Sequence, residues 1–290
     1  MQRLLPVILV MIGLLSISSA LVIAQDEEAP EFPEYYGSRE CRDCHRETVS
    51  AHSLTTHART FVEIEEDMEP EENPVVADFE AGADVRTVSF PEGEERAFTL
   101  ADVAYTLGAG RNFQAYVTEL EEDQFYLLPA QWNANTGAWV TLDLGESWPD
   151  EGYAFGPNCA GCHTTGLDTS DYTWEDEGVM CESCHGPSEY HIEAADDAGG
   201  SVDEEERAAI YDGIHLALDG AACGQCHARG DAEDDVHPFP VGYYPGWTDL
   251  DDHFDLVSDS SDNYWFDSGH ARLPNMQYNE SLLSAHPNGL

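Results

Sequence analysis

The 290-residue chain contains no lysine: all eleven of its basic residues are arginine, set against 58 aspartates and glutamates for a formal net charge of −47. Such an acidic excess excludes nucleic acid and anionic membrane surfaces as partners, because both would be repelled. Two readings of the charge remain: a solvated acidic surface suited to a salty medium, or steering towards a basic protein partner, which salt would screen. Carboxylates are too numerous for any pair to stand out as a general acid and base. Cysteine is missing everywhere except in four short clusters, which hold all eight. Eight cysteines in a disulfide framework would allow 105 connectivities and would give no reason for a constant residue type after each pair.

That constant residue is histidine. The clusters read Cys41-Arg-Asp-Cys44-His45, Cys159-Ala-Gly-Cys162-His163, Cys181-Glu-Ser-Cys184-His185 and Cys223-Gly-Gln-Cys226-His227. Cys-x-x-Cys alone serves thiol redox proteins, zinc ribbons and haem attachment, whereas His directly after the second Cys points to c-type haem. A zinc site would need two Cys pairs, or one pair and two His, for each ion and would leave the fifth position unexplained. Redox dithiols leave it unexplained too. The pattern therefore predicts four covalently bound haem c groups, each fixed by two thioethers with the adjacent His as proximal iron ligand. Porphyrins add large apolar surfaces, so a polar chain can enclose a core around them with sparse regular secondary structure.

The first residues agree with that chemistry. After Met1-Gln-Arg3 the chain is apolar from Leu4 to Ala24, which predicts an exported protein. Ser18-Ser-Ala20 and Val22-Ile-Ala24 offer cleavage sites for a signal peptide over 1–24, while the run also reaches the roughly 20 residues of a membrane span, so a retained anchor is the alternative. Next come an acidic linker over 25–34 and a haem domain over 35–290. The expected location is outside the cytoplasmic membrane: periplasmic, cell-surface or extracellular.

Between the motifs lie 113, 17 and 37 residues. The short gap predicts adjacent second and third haems. The long gap must hold something else, and its β-branched and aromatic runs at 85–90, 113–120, 124–128 and 138–143, separated by turn residues, predict an antiparallel β insertion over about 75–150. Residues 101–107 read as a short helix, and 202–218 as a longer one started by Ser201 and Glu204. The tail from Asn275 to His286 reads as helical. The fold class expected is a haem-packed, largely irregular and α-helical body with a small antiparallel β insertion between the first and second motifs.

With the motifs placed, the stretches "YYGSRECRDCHRETVSAHSLTTHA", "LLPAQWNANTGAWV", "CAGCHTTGLD", "TWEDEGVMCESCHGPSEYH", "CGQCHARG" and "QYNESLLSAH" resemble the exported multihaem cytochrome c family related to the tetrahaem electron acceptor of hydroxylamine oxidation and to filament-forming tetrahaem cytochromes. The resemblance implies electron transfer between redox proteins, and either a homo-oligomer or filament or a single carrier. Similar chains carry a His pair just before the Gln-Tyr of the tail, where this chain has Pro274 and Asn275.

The sixth iron ligand separates carrying electrons from chemistry on a small molecule, because an open iron can bind one. Beyond the four proximal histidines the chain has His52, His57, His191, His215, His237, His253, His270 and His286. His191 lies past the Gly186-Pro187 break, free to reach another haem, and the family match supports it. His57 and His286 end similar stretches, "VSAHSLTTHA" and "NESLLSAHP". His270 lies near the missing pair. These four, His57, His191, His270 and His286, are the expected distal ligands, ahead of His52 and His253, with His215 and His237 read as surface or supporting residues. A haem enzyme acting on small nitrogen or sulfur compounds is the alternative, although lysine ligation of a catalytic iron is excluded.

Overall fold

The computed structural model describes residues 32–256, apart from 66, 67, 69–72, 92, 94, 200, 201, 217–219 and 229. The leader, most of the acidic linker, the tail helix, His270 and His286 fall outside the described residues.

Each Cys-x-x-Cys-His motif stands on a short helix. The first lies in α1 (Ser38–His52), whose helical dihedrals break at His45 (φ −111°, ψ 36°). The second closes with α2 (Gly161–His163), entered through a π-helical turn at Gly156–Ala160. The third is α3 (Cys181–His185), and the fourth ends α6 (Ala221–His227). Between these two lie α4 (Glu189–Ala198) and α5 (Glu204–Asp212). After α3 the chain turns through Gly186 at φ +72°, a conformation that favours glycine, and Pro187 then forbids helix continuation.

The β-rich part comprises β1 (Phe61–Glu63), β2 (Thr87–Ser89), β3 (Glu95–Ala97), β4 (Tyr105–Leu107), β5 (Phe113–Glu121), β6 (Gln124–Leu127), β7 (Ala130–Asn133) and β8 (Ala138–Thr141). One six-stranded antiparallel sheet runs β1-β4-β5-β7-β8, with β6 also paired to β5. Strands β6 and β7 share one edge of β5, Val117 facing Leu127 and Gln114 facing Trp132. They are parted at Leu128-Pro129, where proline has no N–H for the ladder. Strands β2 and β3 form a separate hairpin. Short pairs of β9 (Thr164–Thr165) with β10 (Asp176–Glu177), and of β11 (Gly230–Ala232) with β12 (Phe254–Leu256), lie among the later motifs.

Strand β5 is the spine. Gln114 to Thr118 are buried without a break, because alternate side chains enter opposite faces and both faces are covered. Tyr116 joins an aromatic core with Phe98, Trp132 and Trp139. Val117 joins another with Phe61, Tyr105 and Phe155. This second core includes Ala160 of the second motif and touches Cys159, so the sheet positions a haem-attachment segment directly. Phe61, fully buried, stacks between Tyr105 (4.4 Å) and Phe155 (4.3 Å).

The four β runs read in the sequence coincide with β2, β5, β6 and β8 within a few residues. Two expectations are corrected. Residues 101–107 are not a helix: a single 3₁₀ turn at Leu100–Asp102, capped by Thr99 and Asp102, gives way to β4, because Val103 and Tyr105 are taken into the two cores. Helix α5 starts two residues later than Ser201 and Glu204 suggest and ends at Asp212 rather than 218: Asp203 accepts from the N–H groups of Glu205 and Glu206, and its own N–H donates to the Glu206 carboxylate. The same capping logic operates on a stronger acceptor.

Phe61→Ala should therefore remove the stacking partner of both Tyr105 and Phe155 and cost about 3–5 kcal/mol. A lowered thermal midpoint of the haem-loaded protein checks this.

Candidate functional site

The motif helices pack in a row: α1 against α3, α3 against α6, and α6 against α2. Side chains at each junction are cysteines. Cys41 meets Cys181; the hydrogen bond from the Cys41 thiol, opposed by burial and helped by Ser38, brings Cys181 down to about 6, while that bond and burial raise Cys41. Cys184 faces Cys223 and is pushed up to about 11, mainly by burial. Cys226 meets Cys162 and is likewise raised, by that contact and by burial. Gln225 fastens α6 to α3 through its Nε2, which donates to the Ser183 carbonyl at 2.6 Å. The second motif is also tied to the third, since the Thr165 and Ser183 hydroxyls lie 2.6 Å apart.

Histidines from distant parts of the chain face each other. The His45 and His191 rings have centroids 6.3 Å apart and planes within 22°. Those of His57 and His227 are 6.0 Å apart at 74°. Two imidazoles on opposite sides of one metal ion, at about 2 Å per bond, put their ring centres roughly 6 Å apart. Each pair joins a motif histidine to a histidine outside the motifs, and His57 and His191 are two of the four expected distal ligands.

The rings are held by their other nitrogens. His185 Nδ1 lies 2.8 Å from the His215 carbonyl, His191 Nδ1 2.8 Å from the Ile210 carbonyl, and His253 Nδ1 3.0 Å from the Val241 carbonyl. His163 Nδ1 meets the Thr60 hydroxyl at 2.9 Å. A backbone partner on Nδ1 fixes the tautomer and leaves Nε2 to a metal. Burial also pushes His163 down to about 4, keeping it neutral. His52 is different: its Nε2 sits 2.9 Å from the Val179 carbonyl, and the break at His45 removes the continuous helical face that the seven-residue spacing suggests. His237 is occupied on both sides, by Asp234 at 2.5 Å and the Tyr172 hydroxyl at 3.1 Å, a supporting residue as expected.

His57 is placed by a glycine. Gly178 has φ +77°, and a Cβ there would overlap the Ala58 carbonyl. The neighbouring Val179 N–H donates to the His57 carbonyl at 3.1 Å. The strand before the third motif thus lies flat against the loop that presents His57.

One residue that sequence reasoning misses is Glu182, inside the third motif and 1 % exposed. Its carboxylate accepts from the backbone N–H groups of Gly37 (2.7 Å), Ser188 (2.8 Å) and Tyr36 (3.1 Å). Asp176 accepts from the Ser38 N–H and hydroxyl, both at 2.9 Å. The start of the first motif's helix is therefore capped by carboxylates from the third motif's segment. No sequence signal marks it, because Arg42 and Asp43 are also charged residues inside a motif and both are exposed.

Haem fits these residues. A cavity of about 540 Å³ is lined by Cys162, Cys226, His57, His163 and His227 together with Cys184, which brings thiol sulfurs for thioether attachment and imidazoles around one space. Among the described residues no three His, Cys, Asp or Glu side chains converge as on a single bare ion, the arrangement that zinc requires.

Comparison with known proteins agrees. Residues 140–186, spanning the second and third motifs, match the family model described as "Cytochrome c554 and c-prime". The crystal structure of the outer cell wall cytochrome OcwA superposes with a TM-score of 0.59 and 25% identity, over 82% of this chain and 48% of that one. An undecahaem cytochrome from the S-layer of Carboxydothermus ferrireducens aligns with a TM-score of 0.38 and 20% identity, over 69% of this chain and 26% of that one. No curated protein matches in sequence. These matches support a multihaem cytochrome c; the chain is similar in fold to OcwA and spans about half of that protein's length.

Gly178→Ala should cost about 1–3 kcal/mol through positive φ and the Ala58 contact. Because the strain falls on the His57 loop, a haem should also lose its low-spin optical spectrum in part, which absorbance of the loaded protein reports.

Proposed function

We propose that the protein is an exported tetrahaem cytochrome c that passes single electrons between redox proteins along four mostly bis-His haems in the order first, third, fourth, second. The observation that carries this reading is the pairing of His45 with His191 and of His57 with His227 at metal-bridging separation. The row of helices α1, α3, α6 and α2 supports the order. The 17-residue gap alone predicts neighbouring second and third haems; in this order the fourth comes between them, while the Thr165–Ser183 contact keeps the two motifs in touch.

In this reading His191 ligates the first iron and His57 the fourth, opposite their motif histidines. His270 and His286 complete the remaining two. His253 is the rival for one of them, because its Nδ1 is tethered to a carbonyl as His185 and His191 are. When bound, haem supplies a one-electron Fe(III)/Fe(II) couple. The chain's own part is to hold His163, His185 and His191 by their Nδ1 partners and to set the charge around each site. An iron held between His45 and His191, or between His57 and His227, would have no position open to a substrate, which favours a carrier over an enzyme at those two sites.

The charge of −47 suits a basic redox partner and weakened association at high salt. OcwA is described as an outer cell wall cytochrome; an exported location at the cell surface is proposed here too, in line with the apolar leader. Among the described residues no helix is long and apolar enough to cross a membrane. Either a single carrier or a filament subunit accommodates this geometry. Intramolecular pairing of His45 with His191 and His57 with His227 favours a complete monomer for those two haems.

Purified, haem-loaded protein should show four haems by mass and four low-spin signals by electron paramagnetic resonance, with no shift on adding cyanide. A high-spin resting signal or cyanide binding would support the enzyme alternative instead. His191→Ala and His57→Ala should each convert one haem from low to high spin, and the double variant two.

A further inference from the structure

The two ends of the proposed haem row differ in buried charge. At the first and third motifs, Glu182 is a fully buried carboxylate with three backbone N–H partners. Asp176, bonded to Ser38, acts electrostatically on both Cys41 and Cys181. Among the described residues no arginine is bonded to either carboxylate, and Arg42, which takes the place of Glu182 in the first motif, is exposed. The corresponding positions in the second and fourth motifs are Ala160 and Gly224, both buried and neutral. The cavity between those two motifs, which Ser183 and Cys184 of the third also line, has no carboxylate among its lining residues, and the one permanently charged side chain there is Arg111.

A negative charge stabilises the ferric form and lowers a haem potential, and a positive charge raises it. How much each charge matters depends on its surroundings. Most of the chain's 58 acidic residues are solvated and strongly screened. Glu182 is not, because burial removes both water and counterions from it. Arg111 is exposed, so its effect is smaller and falls with salt.

We infer that the protein is redox-polarised: Glu182, with Asp176, holds the first and third haems at lower potential than the second and fourth, where Arg111 acts in the opposite sense, so electrons collect at the second and fourth motifs. Each step oxidises one haem iron and reduces the next by one electron, with no atom exchanged. Glu182 is a positioning and potential-setting residue: it ties α3 to the start of α1 and supplies the charge. This inference rests on the tetrahaem reading above.

The test is a potentiometric titration of the haem-loaded wild type and of Glu182→Gln, Asp176→Asn and Arg111→Gln, followed optically and by electron paramagnetic resonance. His191→Ala and His57→Ala assign the first and fourth haems by the low-spin signal each removes. In the wild type, the fourth-haem signal should disappear on reduction before the first. Glu182→Gln should move two midpoints upward, including the first haem's, by more than either of the others and equally at low and high salt. Arg111→Gln should move the fourth haem's midpoint downward, less so at high salt.

Four low-spin haems whose midpoints respond uniformly to Glu182→Gln, or a wild type in which the first haem is reduced before the fourth, would overturn the inference while leaving the carrier reading intact. Fewer than four low-spin haems in the wild type would instead sink the carrier reading. Should Glu182→Gln fail to load haem, the wild-type order of reduction and the surface variant Arg111→Gln decide the matter.

Discussion

The protein depends on holding two pairs of imidazoles about 6 Å apart, a separation at which one metal ion would fit between the rings of each pair. His45 and His191 are separated by 146 positions in the chain and His57 and His227 by 170, yet each pair stands close to 6 Å apart. Neither pair shares a helix or a strand. Several of the chain's histidine rings are fixed by single hydrogen bonds from their far nitrogens to backbone carbonyls in other segments, as His191 is to Ile210, so small errors in loop path would translate into lost ligation. Much of the remaining architecture can be understood as means of suppressing such errors.

Three devices do this. The Glu182 carboxylate gathers the N–H groups of Tyr36, Gly37 and Ser188, drawing the first motif, the third motif and the turn after it to one point. A buried carboxylate is costly unless it is well bonded, and removing it would leave three donors without an acceptor. Gly178 lets the segment before the third motif press on the His57 loop. The sheet, through Phe61 and Phe155, braces the turn that leads into the second motif. The aromatic core around Tyr116 and Trp139 belongs to the insertion alone and gives β5 a second covered face.

The cofactor is readable directly from the sequence because thioether attachment and proximal ligation involve five consecutive residues, and local spacing is what a sequence displays. The strands around Phe113 and Ala138 are legible for a similar reason: alternation and turn residues are local signals. The partners of His45 and His227 are not. Context singles out His191 and His57, but which iron each meets depends on tertiary packing with no periodicity. The spacing of His52 misleads because it presupposes a straight α1, and the break at His45 cannot be inferred from composition. Glu182 is hidden among 58 acidic residues, most of which face water; burial alone distinguishes it. Helix α5 starts near the expected place, since Asp203 and Ser201 both satisfy the capping pattern and Asp203 stands with a Glu in the third helical position, but it ends at Asp212, well short of 218. His270 and His286 lie beyond the described residues.

Three of the four attachment helices finish at their histidine, and the remaining one breaks there. The backbone direction after each motif is thus uncoupled from the geometry inside it. Each motif behaves as a closed cassette whose exit can be spliced to almost anything, and in this chain the splices are 113, 17 and 37 residues long. An architecture of this kind grows by inserting domains or adding cassettes without re-registering those already present.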